Sequence, residues 1–429
     1  MSSETEALRR VDSPLPGTEP AATAPAGWLD TVVARLAEPT LGAGFGRWSH
    51  GRLTVRWADG RTGTYGQPGA EPHVTLRVHH PALYRKFLLR GDLGAGEAFM
   101  DGDWSADDLP RFIELVLRNP QCFALDSVLS RAANVGNDLL HRARANTRTG
   151  SRRNIRAHYD LSNAFFALFL DESMTYSSAV FDGPDDTLAA AQQRKLRRLA
   201  DAAGVRPGDR VLEIGCGWGA FALLLAREYG AHVTAITVSD EQHAMARARI
   251  AAAGLEHRVD VRVCDYRDVG GRYDRIVSVE MLEAVGREFW PSFFETCHRV
   301  LAPGGRVALQ TIAIASHRFD QYARHCDWIQ KYIFPGGLLP SLLELTKAAA
   351  RATPLTVHAL DDIGLHYART LAAWRVRFLS RLDEVRRLGF DDRFIRMWDY
   401  YLSSCEAAFA TRSLGTYQLV LARDGEDLR

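Results

Sequence analysis

The sequence predicts an α/β fold, a doubly wound and mostly parallel sheet with a helical insertion, preceded by a smaller α+β domain. Three observations carry this. From about Asp186 onward, short apolar runs alternate with helical stretches, the order that calls for a parallel sheet covered by helices. A glycine-rich turn, Gly215, Gly217 and Gly219, follows the first of those runs, where such sheets bind ligands. Between Trp28 and about Asn119 the texture differs, because period-two runs appear there without the strand and helix alternation. A chain of 429 residues is also long enough for two or three hydrophobic cores.

Taken in order, residues 1–27 have acids and prolines where a signal peptide needs an apolar centre, and are expected to form a disordered tail on a cytosolic protein. Residues 28–137 form the expected α+β domain. Leu53, Val55 and Trp57, then Val74, Leu76 and Val78, alternate as half-buried strands do, and GAGEAFMDGDW (94–104) and LPRFIELVLRN read as more helical. Residues 138–157 are basic. No acid stands between Leu139 and Tyr159, while Arg142, Arg144, Arg148, Arg152, Arg153 and Arg156 crowd together. This segment suits a solvated linker or a contact with an anionic membrane surface, and it lacks the interleaved aromatics of a nucleic-acid stacking platform.

Residues 158–429 form the expected larger α/β domain. A polar helix (Leu188 to Ala203) precedes a strand (Arg210 to Ile214), the glycine turn and a helix beginning near Phe221. A strand (His232 to Val238), a helix (Asp240 to Ala253), strands at Val259 to Cys264 and Arg275 to Val279, a helix ending near Leu301 and a strand (Val307 to Ile314) follow. The chain after Ala315 reads as largely helical. Tyr417 to Leu421 reads as a late strand added at the sheet edge.

Composition narrows the function classes. A formal net charge of +1 provides no global field to gather nucleic acid or anionic lipid. No apolar run is long enough to cross a bilayer. The six cysteines, at 122, 216, 264, 297, 326 and 405, have neither metal-ligand nor disulfide-framework spacing, so no metal site is expected.

The glycine turn points to its guest. A dinucleotide fold needs G-x-G-x-x-G to seat a pyrophosphate at a helix N-terminus, but the spacing here is Gly215-x-Gly217-x-Gly219, and Trp218 would crowd a pyrophosphate. Tight spacing after a strand that carries Glu213 suits a smaller, cationic guest, S-adenosylmethionine. Asp265, after the third strand, is placed to accept from the adenine amine. The second strand ends in Thr237, Ser239 and Gln242, without the carboxylate that an NAD ribose wants.

Several blocks together, HYDLSNAFFALFLDESMTYSSAVF (158–181), VLEIGCGWG, DYRD (265–268), EMLEAVG (280–286), WIQKYIFPGG (328–337) and YYLSSCEAAF (400–409), resemble the cyclopropane-fatty-acyl-phospholipid synthase family, which includes the mycolic-acid cyclopropane synthase-like methyltransferases. The similarity runs from about Gly94 to the C-terminus, and GAGEAFMDGDW resembles the family's lipid-proximal N-terminal domain. The resemblance implies a class I S-adenosylmethionine-dependent methyltransferase fold. It implies transfer of a methyl group to the cis double bond of an unsaturated acyl chain of a phospholipid, forming a cyclopropane, with a methylene-branched acyl product as the alternative.

The cofactor residues it implies are Tyr176, Ser177, Glu213, Gly215, Gly217, Gly219, Thr237, Gln242, Asp265 and Tyr266. The reaction needs a dry, aromatic cavity, for which Tyr332, Phe334, Tyr367 and Trp374 are candidates. A bicarbonate ion serves as base in the family, and its expected holders are Ser178, Glu283, Gln310, Tyr367 and the backbone at Ile312. Ser178 and Gln310 depart from the family's cysteine and histidine. Both can still donate hydrogen bonds, but the titrating imidazole is gone. Cys405 matches a cysteine once proposed as a nucleophile and is expected to be structural or pocket-lining. The expected setting is the cytoplasmic face of the inner membrane, peripherally bound, with a homodimer possible. An NAD-dependent oxidoreductase and a non-catalytic lipid or cofactor-binding module are the other classes that the motifs oppose.

Overall fold

The computed structural model describes residues 27–122 and 161–425. The tail up to residue 26 and the basic segment Arg142 to Arg156 lie outside the described residues. Within them the chain forms two units. The first comprises residues 27–122 with His325–Ile333 and Leu371–Ser413, and the second comprises 161–324, Phe334–Thr370 and the chain from Leu414.

In the first unit, β1 (Arg52–Arg56), β2 (Thr62–Tyr65), β3 (His73–Val78) and β4 (Trp104–Ala106) form a sheet in the order β2-β1-β3-β4. The expected alternation is present, since Leu53 and Val55 on β1 and Val74, Leu76 and Val78 on β3 are buried. Trp57 lies just past the end of β1 and is only half-buried. The buried face packs against Phe99, Trp104, Phe112 and Leu115. Leu109–Arg118 is a helix because Asp108 caps it, accepting from the backbone N–H of Arg111 at 3.0 Å, with Pro110 in its first turn.

The second unit is built on β5 (Arg210–Ile214), β6 (His232–Thr237), β7 (Val259–Val263), β8 (Tyr273–Val279), β9 (Leu301–Ile314), β10 (Leu355–Asp362) and β11 (Leu414–Arg423). Their order is β10-β11-β9-β8-β5-β6-β7. The five strands from β9 to β7 are parallel, and β11 and β10 add on antiparallel. The chain runs outward from β5 through β6 to β7, then returns to the other side of β5 with β8. That reversal opens a crevice at the carboxyl ends of β5, β6 and β8. β5 is buried along Val211, Leu212, Glu213 and Ile214, and the helices Leu188–Ala203 and Ala220–Glu228 cover one of its faces.

One expectation needs correction. The last strand is not at the sheet edge, because β11 lies between β9 and β10. The edge is β10, which the sequence did not announce. Its side chains are exposed after Leu355, so it has no buried face to impose an alternating pattern.

Candidate active site

The glycine turn is the first piece of the site. Gly215, Gly217 and Gly219 all have positive φ, at 83°, 51° and 84°, a conformation that costs side-chain-bearing residues dearly. The turn is tied to the next strand, since the N–H groups of Gly215 and Cys216 both donate to the carbonyl of Ile236 at 3.0 Å. A Cβ on Gly215 would stand 2.9 Å from Met281, whereas one on Gly217 would meet nothing within 4 Å. The backbone at Gly217 therefore opens onto space, and a cavity does lie there.

That cavity is lined by Tyr176, Ser177, Glu213, Gly215, Gly217, Thr237, Gln242, Asp265 and Tyr266, nine of the ten residues expected to hold the cofactor. Gly219 does not line it. It starts the Ala220–Glu228 helix, and a Cβ there would press on Ala246 at 3.1 Å, so its smallness serves packing. Arg267 grips Asp265 with its guanidinium at 2.8 and 2.7 Å, which fixes the carboxylate. The Thr237 hydroxyl donates to Gln242 Oε1 at 2.8 Å, so the Gln242 amide nitrogen remains as a donor. Tyr176 packs edge-on against Phe166. Burial pushes the Glu213 carboxyl up to about 8, and its Oε2 is buried with no hydrogen-bond partner. An orphaned acidic oxygen beside an open glycine turn fits the ammonium-bearing end of S-adenosylmethionine.

Beside the cavity lies a pair of buried glutamates. Glu280 follows β8 with φ at 48°, a left-handed backbone that is rare for any residue other than glycine. Its carboxylate gathers three donors, the Ser178 backbone N–H at 2.9 Å, the Gln310 amide at 2.8 Å and the Tyr367 hydroxyl at 2.8 Å. Gln310 Oε1 is held in turn by the Gln418 amide at 3.0 Å. Glu283 turns the other way. Its Oε1 accepts from the Ile312 N–H at 2.5 Å and the Thr311 hydroxyl at 3.0 Å, and its Oε2 is buried without a partner. Burial, then the neighbouring Glu280 charge, pushes the Glu283 carboxyl up to about 8.

The structure thus gathers Ser178, Gln310 and Tyr367 around Glu280, a residue that sequence reasoning missed, and pairs Ile312 with Glu283. Glu280 lines the cofactor cavity and also collects three of the expected donors. Its signal was an acid directly after a central strand, overshadowed by the second acid of the same EMLEAVG block. Ser178 acts through its backbone, since its hydroxyl donates to the Ala179 carbonyl at 3.0 Å. Lys195 was also missed, although it is fully buried and lines the cavity.

Tyr332, Trp374 and Cys405 belong to the first unit. The Tyr332 hydroxyl donates to Glu97 at 2.7 Å, and Lys331 and Arg90 hold the same carboxylate. Burial, with a further push from Asp327, raises the Cys405 thiol to about 12, far from the thiolate a nucleophile requires. Phe334 belongs to the second unit and does not line the cofactor cavity. Among the described residues, no cluster of His, Cys, Asp and Glu could hold a metal ion, and no helix is long and apolar enough to cross a membrane.

Comparisons with known proteins identify the family. Residues 146–419 match the family model for mycolic acid cyclopropane synthetase. The chain is 43% identical over 389 residues to the tuberculostearic acid methyltransferase UfaA1 of Mycobacterium tuberculosis, covering 88% of this chain and 89% of that protein. It is 36% identical over 371 residues to the cyclopropane-fatty-acyl-phospholipid synthase of Escherichia coli strain K12, covering 84% of this chain and 90% of that one. The crystal structure of the mycolic acid cyclopropane synthase CmaA1 complexed with SAH and CTAB matches with a TM-score of 0.59 at 30% identity, over 63% of this chain and 97% of that one. With its glycine cradle, acid-lined cavity and parallel sheet, the chain belongs to the mycolic acid cyclopropane synthetase family and is an S-adenosylmethionine-dependent methyltransferase of that type.

Proposed function

We propose that the protein methylates the cis double bond of an unsaturated fatty acyl chain of a phospholipid, and that its product is a methylene-branched chain. S-adenosylmethionine, when bound, supplies an electrophilic methyl group. Glu213, the glycine turn, Asp265 and Gln242 are the residues that would hold it, leaving Glu280 and Glu283 on the side where a proton must be removed.

One observation carries the choice of product. Gln310, locked between Glu280 and Gln418, stands where the family resemblance implies a histidine. A carboxamide does not take up a proton at working pH, so proton removal falls to the Glu283 side alone. Addition of a methyl group to the alkene leaves a cation on the neighbouring chain carbon, and both products then lose a proton from the new methyl. Prompt loss closes a cyclopropane. Slower loss lets a hydride migrate first from the methyl-bearing carbon, giving the more stable tertiary cation, which then becomes a methylene branch. A base site without imidazole favours the slower course. The 43% identity to a relative named for tuberculostearic acid, rather than for a cyclopropane, supports the same choice.

Glu283 fits the task of orienting a bicarbonate base, because its unpartnered Oε2 can accept the hydroxyl proton of that ion. Bicarbonate, when bound, would supply the proton-accepting oxygen, and removal of dissolved carbon dioxide is then expected to slow turnover.

The test is incubation with methyl-labelled S-adenosylmethionine and vesicles of oleoyl phospholipid, with the acyl products read by mass spectrometry and NMR. Labelled vinylidene protons are expected. Labelled cyclopropane protons would overturn the product assignment, and no labelled acyl chain across several lipid compositions would overturn the whole proposal.

A further inference from the structure

A lysine is among the residues that line the cofactor cavity. Lys195, on the helix Leu188–Ala203, is 0% exposed and is among the residues that line the cavity. Placing an ammonium where water cannot reach it is costly unless the charge has work to do or partners to match. Its hydrogen-bond partner is the Ser177 hydroxyl, at 2.6 Å.

The chemistry of that contact has one possible direction. An ammonium group has three donors and no lone pair, so Ser177 Oγ must be the acceptor. The hydroxyl proton of Ser177 is then left to be given to something else, and Ser177 also lines the cavity. One turn earlier on the same helix, the amide of Gln192 donates to the carbonyls of Ser177 at 2.8 Å and Thr175 at 3.3 Å. The helix therefore fixes both the backbone and the hydroxyl of this strip. Burial pushes the Lys195 ammonium down to about 8, and the neighbouring carboxyl groups of Glu280, Asp171 and Glu213 act the other way, in favour of its charge.

We propose that Lys195 is a positioning residue for the cofactor: by donating to Ser177 it turns the serine hydroxyl outward as a donor, and together they seat the carboxylate of the amino-acid end of S-adenosylmethionine. The partnerless Oε2 of Glu213, in the same cavity, is left for the ammonium of that zwitterion. The inference rests on the cofactor assignment and adds to it which group of the cofactor lies on which side.

Calorimetric titration of the full chain tests it, using S-adenosylmethionine and 5′-methylthioadenosine, which has no amino-acid carboxylate. K195M and S177A are each expected to weaken S-adenosylmethionine binding roughly 10- to 100-fold, as loss of a charge-assisted hydrogen bond does. The double variant is expected to lose little more than either single one, because the two residues act as one device. Binding of 5′-methylthioadenosine is expected to stay within about twofold of the unaltered protein. Additive losses in the double variant, or equal losses for both ligands, would overturn the proposal. If K195M does not fold, S177A alone decides by the same contrast between ligands. Failure of the unaltered protein to bind S-adenosylmethionine would instead strike the cofactor assignment itself.

Discussion

The cofactor cradle and the glutamate pair adjoin one another in the second unit, yet they are made in opposite ways. The cradle takes most of its shape from one short stretch of backbone, with three glycines at positive φ tied to the neighbouring strand. The glutamate pair is assembled from side chains far apart in the chain: Ser178 and Glu280 are separated by 102 positions, and Tyr367 and Glu280 by 87. One region depends on local conformation, the other on long-range placement of charge. Variants of the first should therefore change cofactor affinity, and variants of the second should change turnover at saturating cofactor.

The sharpest break in that contrast is E283Q. Its amide oxygen can still accept from Ile312 and Thr311, so the fold should persist, while the carboxylate proposed to handle the proton is lost. Turnover is expected to fall about 10²- to 10⁴-fold, with calorimetric affinity for S-adenosylmethionine unchanged. Near-normal turnover in this variant would remove Glu283 from the mechanism. G215A should do the reverse. Its Cβ would collide with Met281 in a backbone held at φ 83°, so the dissociation constant for S-adenosylmethionine is expected to rise about tenfold or more.

Acidity separates the two regions less cleanly. A carboxyl pushed up to about 8, as Glu283 is, stays largely protonated through neutrality, and if its carboxylate is the working form, turnover should climb as pH rises through that value. Stability should move the other way. The folded state holds a proton that the unfolded chain releases near 4.5, so Glu283 stabilises most below that value, and its contribution disappears as pH rises to about 8. Denaturant titrations across this window, with E283Q showing the flatter curve, would check the sign. Q310H restores an imidazole beside Glu280, and the expected change is in product ratio, with ring-closed acyl chains gaining at the expense of methylene-branched ones. The smallest effect is expected from C405S. A half-buried thiol raised to about 12 has no catalytic part to lose, and a marked drop in turnover would contradict that view.

What could be read in the sequence follows the same division. The turn was legible because glycine spacing is a statement about backbone angles, and backbone angles are local. The alternation of strands and helices was legible for the same reason. Glu280 was not, since its importance lies in Ser178, Gln310 and Tyr367 arriving from elsewhere, and no spacing along the chain encodes that meeting. Tyr332 illustrates the converse. It stood in a block suited to a substrate cavity, but its hydroxyl belongs to a cluster around Glu97 that includes Arg90 and Lys331. β10 escaped notice because an exposed edge strand carries no hydrophobic rhythm.

The place of β11 has a consequence for how the protein is made. It follows every other strand of this sheet in the chain, yet it pairs with β9 along Leu414 to Leu421 on one side and with β10 on the other. Until the ribosome has delivered it, β9 has an open edge and β10 has no neighbour in the sheet. Gln418, which steadies Gln310, arrives on the same strand. A nascent chain can therefore form the glycine cradle before β11 emerges, whereas the partners of Gln310 are complete only once β11 has followed the other strands.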